Sequence, residues 1–312
     1  MNSEVPVPVT DTPVVSVAPV TLPVPGRRPD LRLRVSAPAV GTGAAPVLLF
    51  AHGFGSSLHA YGPLTDHWAA HGFVVLQPEF LDSRAVGLAP DDPRRPDLWR
   101  HRVQDAVRVL DALDEIETAV PEVRGRLDRD RVVAAGHSFG GQTAGVLLGL
   151  RVLDPATGAP AEPAVDLPRV QVRAGVLLAT AGRGGDALAP GAIEQLPWLD
   201  VDFSTMSAPA LVVMGDADSS PLTVVGPDWC ADPYRLSPPG KSLLALSGAE
   251  HSLGGIPGYD AAETTDADPA RVAAVQTLST AYLRSALDPA DDAWTRAAAD
   301  FAGSPLGRIE SR

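Results

Sequence analysis

Three residues far apart along this chain have the types that together turn a hydroxyl into a nucleophile. Ser138 lies in Gly136-His137-Ser138-Phe139-Gly140-Gly141, directly after the apolar run Val132-Val133-Ala134-Ala135 and ahead of a helix-compatible segment. A strand that enters a helix through one sharp turn strains the residue at the turn and lifts its hydroxyl at the strand's C-terminal edge, with small neighbours relieving the clash. Free serine is a weak nucleophile near neutral pH, so a base must take its proton and an acid must orient that base. His251 follows the last apolar run, Leu243-Leu244-Ala245-Leu246, and Gly215-Asp216-Ala217-Asp218 follows Ala210-Leu211-Val212-Val213-Met214. Serine, acid and histidine thus occur in the chain order of a strand-turn-helix serine hydrolase. Asp218 is the expected acid, because in a G-x-x-D strand ending the last aspartate turns toward the histidine; Asp216 is the reserve and Asp186 the third choice. Developing negative charge also needs donors. The loop His52-Gly53-Phe54-Gly55-Ser56-Ser57 exposes backbone N–H groups after a strand, so Phe54 N–H and Phe139 N–H are the expected oxyanion pair.

The elements that must position these residues are legible as a pattern. Apolar runs at 47–51, 73–76, 132–135, 174–179, 210–214 and 243–246 read as buried parallel strands, while Leu31-Arg32-Leu33-Arg34-Val35 alternates at period two like a strand with one wet face. Val14-Val15-Ser16-Val17, flanked by prolines, reads as an edge strand. Helices are expected at 61–71, at 98–119 with Asp97 as cap, at 142–150, and from Asp268-Pro269 onward. Val103, Val107, Leu110 and Leu113 mark the second as an amphipathic covering helix. Residues 152–168, rich in proline, suggest a surface insertion. Trp198 and Phe203, between glycines and prolines in 180–207, are the candidates for the wall of a substrate pocket. His67 and His71 share a helical face, but Trp68 takes the place of the glutamate in a zinc-binding H-E-x-x-H. Neither a metal nor a cofactor is expected.

Of the 312 residues 45% are hydrophobic and 20% charged, with a net charge of −13, which suits a globular chain and disfavours binding to nucleic-acid phosphates. One domain is expected over 14–288, with an N-terminal arm at 1–13 and a polar C-terminal tail at 289–312. The one cysteine, Cys230, cannot make an internal disulfide and reads as packed. No run approaches the roughly 18 apolar residues of a membrane span, and the first residues lack a secretory pattern, so a cytoplasmic location is expected, with a mature secreted form as the alternative.

The strand-loop His52-Gly53-Phe54-Gly55, the elbow around Ser138, the acid loop 215–218 and the late His251 together resemble an α/β-hydrolase. Within that superfamily, "HGF" with a following Tyr61, the His101-Arg102 helix with Asp105, and "GHSFGG" resemble bacterial relatives of chlorophyllase, platelet-activating-factor acetylhydrolase and dienelactone hydrolase. Phe139, where bacterial cutinases carry methionine, departs from those enzymes. The resemblance implies an α/β fold with an eight-stranded, mostly parallel sheet and helices on both faces, no metal, and hydrolysis of small-molecule carboxylic esters through an acyl-enzyme. A thioesterase, amidase or acyltransferase could use the same residues, and a non-catalytic binding protein could keep the same scaffold.

Overall fold

The computed structural model describes residues 12–162, 166–258 and 264–312, so most of the expected N-terminal arm lies outside the described residues. The runs read as strands become β1 (Val14–Leu22), β2 (Leu31–Pro38), β3 (Ala45–Ala51), β4 (Val74–Pro78), β5 (Leu127–His137), β7 (Val172–Leu178), β9 (Ala210–Gly215) and β10 (Lys241–Leu246). A short β6 (Arg151–Val152) pairs antiparallel with β8 (Val201–Asp202) as a separate ribbon.

Among the described residues the main sheet has nine strands in the order β1-β2-β4-β3-β5-β7-β9-β10 and then a last strand, β11 (Gly307–Ser311). From β4 to β10 every pairing is parallel, and β1, β2 and β11 run antiparallel to their neighbours. The ninth strand comes from the segment expected to be a tail. Residues 289–312 supply α8 (Ala293–Phe301) and β11, and β11 pairs with β10 from Ser242↔Ser311 to Leu246↔Gly307. With the sequence Gly-Arg-Ile-Glu-Ser this strand has only one apolar side chain, Ile309, so an edge position leaves its polar residues in solvent.

Alternation along the strands divides the core in two. Val47 and Leu49 of β3, with Val212 and Met214 of β9, pack on the face covered by α2 (Leu98–Asp111), α3 (Leu113–Ala119) and α4 (Phe139–Leu147). Leu48 and Phe50, with Leu211 and Val213, pack on the opposite face against α1 (Gly62–Ala70) and α7 (Pro269–Leu287). Strands apolar on both faces are what a sheet sandwiched between helix layers requires. The helix expected over 98–119 is broken at Ala112, and the Asp97 side chain makes no cap hydrogen bond. Asp97 instead pairs with Arg100 at 3.3 Å. Asp268, by contrast, accepts from the N–H groups of Ala270 and Arg271 and so starts α7. Between α5 (Ala192–Gln195) and α6 (Asp232–Leu236) the chain passes through β9 and the loop beyond it.

Candidate active site

The C-terminal ends of β3, β5, β9 and β10 deliver four loops to one edge of the sheet. At the end of β5 the chain turns abruptly into α4, and Ser138 adopts φ 55° and ψ −122°. This backbone conformation costs of order 1–3 kcal/mol and persists only where the surroundings enforce it. Here Ser138 N–H donates to the Leu178 carbonyl at 2.8 Å, and the Ser138 carbonyl accepts from Gly141 N–H at 2.9 Å. A Cβ on Gly136 would collide with the Gly140 carbonyl, and one on Gly140 with the carbonyl of Ala51 in β3. That contact brings the start of α4 against the loop that follows β3.

The acid loop after β9 meets the histidine loop after β10. His251 Nδ1 lies 2.8 Å from Asp218 Oδ2, with Asp218 2% exposed on its side chain and His251 48%. Asp216 is exposed and accepts from Gly248 N–H at 2.6 Å, which ties the two loops together without reaching the imidazole. Asp186 is exposed and pairs with Arg183 at 3.8 Å. The Cys230 thiol donates to Asp218 Oδ2 at 3.7 Å, and burial next to that carboxylate pushes the thiol well above its ordinary range. Cys230 is therefore packed, as its isolation in sequence suggests, and it also contacts the Asp218 carboxylate.

Ser138, Phe54 and His251 line two adjoining cavities. One, of about 450 Å³, is walled by Trp198, Leu199, Leu222, Trp229, Cys230 and Phe139. Trp198 stacks on the Phe139 ring at 5.1 Å and 19°, and Gln142 Nε2 donates to the Trp198 carbonyl at 2.5 Å. The other, of about 430 Å³, is bordered by Ser56, Ser57, Arg84, Ala85 and Ser252. Phe203, expected beside Trp198, is not there. It is buried, 1% exposed, and borders a separate depression with Arg151, Leu153 and Arg183. Phe203 lies directly after β8, whose pairing with β6 carries it away from the serine. Among the described residues neither Phe54 N–H nor Phe139 N–H is matched to an acceptor, and Phe139 is the first residue of α4, where N–H groups have no partner inside the helix. The positive end of the helix dipole adds to their pull on negative charge.

Residues that the motif reading left without a role hold this loop from below. Arg102 of α2 is wholly buried. Its Nη1 donates to both carboxylate oxygens of Asp82 at 2.8 and 2.7 Å, its Nε to Thr143 Oγ1 at 3.1 Å, and its Nη2 to the His52 carbonyl. Asp82 Oδ2 in turn accepts from Gly55 N–H at 3.1 Å, and the guanidinium lies over the rings of Phe80 and Phe139. Burial alone would raise the Asp82 carboxyl, but Arg102 and then His52 bring it below its usual range. His52 fills a structural role: Nδ1 faces the Gly53 carbonyl at 2.7 Å, Nε2 accepts from Phe80 N–H at 3.2 Å, and burial lowers its pKa to about 4. Glu79 is buried and accepts from Leu58 N–H at 3.3 Å. The overlooked signal was phase. Trp99, Arg102, Ala106 and Val109 are all buried at helical spacing, so a cation sits within the inward stripe of α2. His67 and His71 stack on one another at 4.0 Å, with His71 Nδ1 on the His67 carbonyl. Among the described residues no three metal-ligating side chains gather at one point.

The chlorophyllase family model matches residues 14–157, from β1 through the elbow to just past β6, and the mostly parallel sheet with helices on both faces is the arrangement that goes with it. The chain has the α/β-hydrolase fold. Over 140 residues it is 31% identical to chlorophyllase-1, chloroplastic, of Citrus sinensis, a match covering 42% of this chain and 38% of that protein. It is 27% identical over 133 residues to the platelet-activating factor acetylhydrolase of Cavia porcellus, covering 31% of this chain and 30% of that one. The chain thus spans well under two thirds of either relative's length. Among its described residues no helix is long and apolar enough to cross a membrane.

Proposed function

We propose that this α/β-hydrolase cleaves carboxylic esters through an acyl-enzyme on Ser138, with His251 as general base, Asp218 as its orienting acid, and the N–H groups of Phe54 and Phe139 as oxyanion hole. The observation that carries the proposal is the 2.8 Å contact of His251 Nδ1 with Asp218 Oδ2 on the wall of the cavities that Ser138 lines. A carboxylate on Nδ1 keeps the proton there, which leaves the Nε2 lone pair to receive the proton of Ser138 as its oxygen attacks the ester carbonyl. The two N–H groups take the oxyanion. Collapse of the tetrahedral intermediate breaks the C–O bond, and His251 Nε2–H protonates the leaving alcohol. Water then gives a proton to the same nitrogen, attacks the acyl carbon, and releases the acid and the serine hydroxyl.

The cavities divide the ester between them. The apolar one is walled by Trp198, Leu199 and Trp229, all less than 5% exposed, and suits the acyl group that must stay on Ser138. The other has exposed Arg84 and Ala85 at its border, so the alcohol can leave and water can enter that way. A roughly 150 Å³ cavity accommodates benzene, which makes 450 Å³ ample for more than an acetyl group.

The test is labelling of the folded chain by a fluorophosphonate, together with turnover of nitrophenyl esters and their matched thioesters and anilides. The expected result is labelling lost in Ser138→Ala and esters turned over fastest. Absence of labelling would leave a binding protein, and faster thioester or amide cleavage would move the activity to those substrates.

A further inference from the structure

One hydrogen-bonded chain runs through three of the four loops at the site, and although its two side chains, Tyr61 and His137, border the cavity of about 430 Å³, the proposed mechanism leaves both without a step. Gly53 N–H, next to Phe54, donates to the Tyr61 hydroxyl oxygen at 3.1 Å. Tyr61 Oη lies 2.8 Å from Nδ1 of His137, the residue before Ser138. His137 Nε2 lies 2.8 Å from the backbone carbonyl of His251. The proton count settles every direction. A carbonyl only accepts, so Nε2 carries the ring proton and donates to His251, Nδ1 is the lone-pair nitrogen, and the hydroxyl must donate to it. The phenol is left as acceptor for Gly53 N–H, and each polar group in the chain has its partner.

The surroundings hold this arrangement in place. Tyr61 and His137 are 2% and 4% exposed, so an unpaired member would cost roughly 1–3 kcal/mol. Tyr61 holds φ 64°, unusual for a residue with a side chain, while its N–H donates to the Pro257 carbonyl at 2.9 Å in the loop beyond His251. A Cβ on Gly53 would sit 2.8 Å from the phenol oxygen and 3.2 Å from His137 Nδ1, so the peptide is held close against both. The His137 ring packs 4.8 Å from the His251 ring. Burial, then the neighbouring His251, lowers the His137 pKa to about 3, so it stays neutral wherever His251 works as a base.

We propose that Tyr61 and His137 are positioning residues that fix the Phe54 N–H and the His251 imidazole in one shared geometry around Ser138. The proposal rests on the acyl-enzyme reading above. Tyr61 sets the Gly53–Phe54 backbone from one side while His137 holds the His251 backbone from the other, and losing either end loosens the same frame.

Three measurements test it. Tyr61→Phe keeps the ring and removes the hydroxyl; the expected loss is about 10- to 100-fold in kcat with KM within about twofold, a fraction of what a whole oxyanion donor supplies. The affinity for a trifluoromethyl ketone analogue should fall by the same factor, since only the tetrahedral state uses the frame. His137→Phe should behave likewise, His137→Gln should recover part of the loss, and Tyr61→Phe with His137→Phe should cost no more than the worse single change, because one chain broken twice is still one broken chain. Nitrogen-15 spectra of ring-labelled histidine in the unmodified enzyme should give His137 a protonated Nε2 and a bare Nδ1, a readout independent of turnover. Full kcat in the folded Tyr61→Phe chain, multiplying losses in the double variant, or a protonated Nδ1 would each overturn the assignment. An unmodified chain that neither labels with fluorophosphonate nor cleaves esters would overturn this proposal and the function beneath it together.

Discussion

Arg102 and Asp82 form an ion pair 2.7 Å long beneath the loop that follows β3, and neither side chain reaches solvent. Each charge depends on the other, for an isolated buried ion is far more costly than the pair. Arg102→Ala would strand the Asp82 carboxylate and free the His52 carbonyl, with an expected stability loss of about 3–5 kcal/mol. Arg102→Lys keeps the charge but not the fork that reaches Asp82, Thr143 and His52 at once, so it should recover only part of this loss. A volume-matched Arg102→Met, Asp82→Leu double change should be more stable than either single change. Urea unfolding of these five variants checks the order, and a double variant less stable than Arg102→Met would show that the stranded carboxylate is not what costs stability.

Asp218 and Asp216 are two residues apart and make different connections. Under the proposed mechanism Asp218→Asn offers an amide where the imidazole needs a carboxylate, favours the wrong tautomer, and should reduce kcat by roughly three to four orders of magnitude. Asp216→Asn can still accept from Gly248 N–H through its carbonyl oxygen, and the expected loss is less than about tenfold. Nitrophenyl ester turnover of the two variants separates them. The reverse ranking would transfer the role to Asp216.

The elements of the sheet were legible because strands sandwiched between helices are apolar on both faces, and 47–51, 132–135 and 210–214 have no other comfortable place. The local chemistry of the elbow was legible too, since the strained turn demands small residues at fixed offsets from Ser138. What could not be read was tertiary. β11 has one apolar residue and becomes a strand only because β10 offers an open edge. The helix over 98–119 keeps its apolar period across Ala112, so periodicity alone does not register the break. Trp198 and Phe203 are five positions apart and equally buried, yet only the pairing of β6 with β8 decides which of them faces the serine. Arg102 resembles any surface arginine until its phase with Ala106 and Val109 is noticed.

Two buried histidines give acid sensitivity with a defined sign. His52 and His137 are lowered by burial from 6.5 to about 4 and about 3. As the pH falls below 6.5, the unfolded chain takes up protons at these sites that the folded chain refuses, so the stability they lend is present at neutral pH and is lost on acidification. Asp105 acts the other way. Burial, against the pull of Arg27, raises its carboxyl from 3.8 to about 6, so between these values the folded chain binds the extra proton. The balance is about one proton, or a fall of roughly 1.4 kcal/mol per pH unit at its steepest between pH 6 and 4. Asp105→Asn removes the opposing group and should steepen that slope. Urea midpoints at pH 7, 6 and 5 for both chains check it, and a flat profile would mean that the histidines are protonated in the folded state.

Trp198 and Phe203 invite a comparison in which substrate choice and stability separate. Trp198 is 4% exposed and forms one wall of the apolar cavity in a stack on Phe139. Trp198→Ala widens that wall and removes the surface a long acyl chain would lie against, so kcat/KM for an octanoyl ester should fall about tenfold relative to that for the acetyl ester of the same alcohol. Phe203 is buried just as deeply on the other side of the β6–β8 ribbon. Phe203→Ala should therefore cost about 3–5 kcal/mol of stability and leave the octanoyl-to-acetyl ratio where it was. A ratio that moved with Phe203 and not with Trp198 would put the acyl group in the other depression, and with it the partition of the ester between the two cavities would fail.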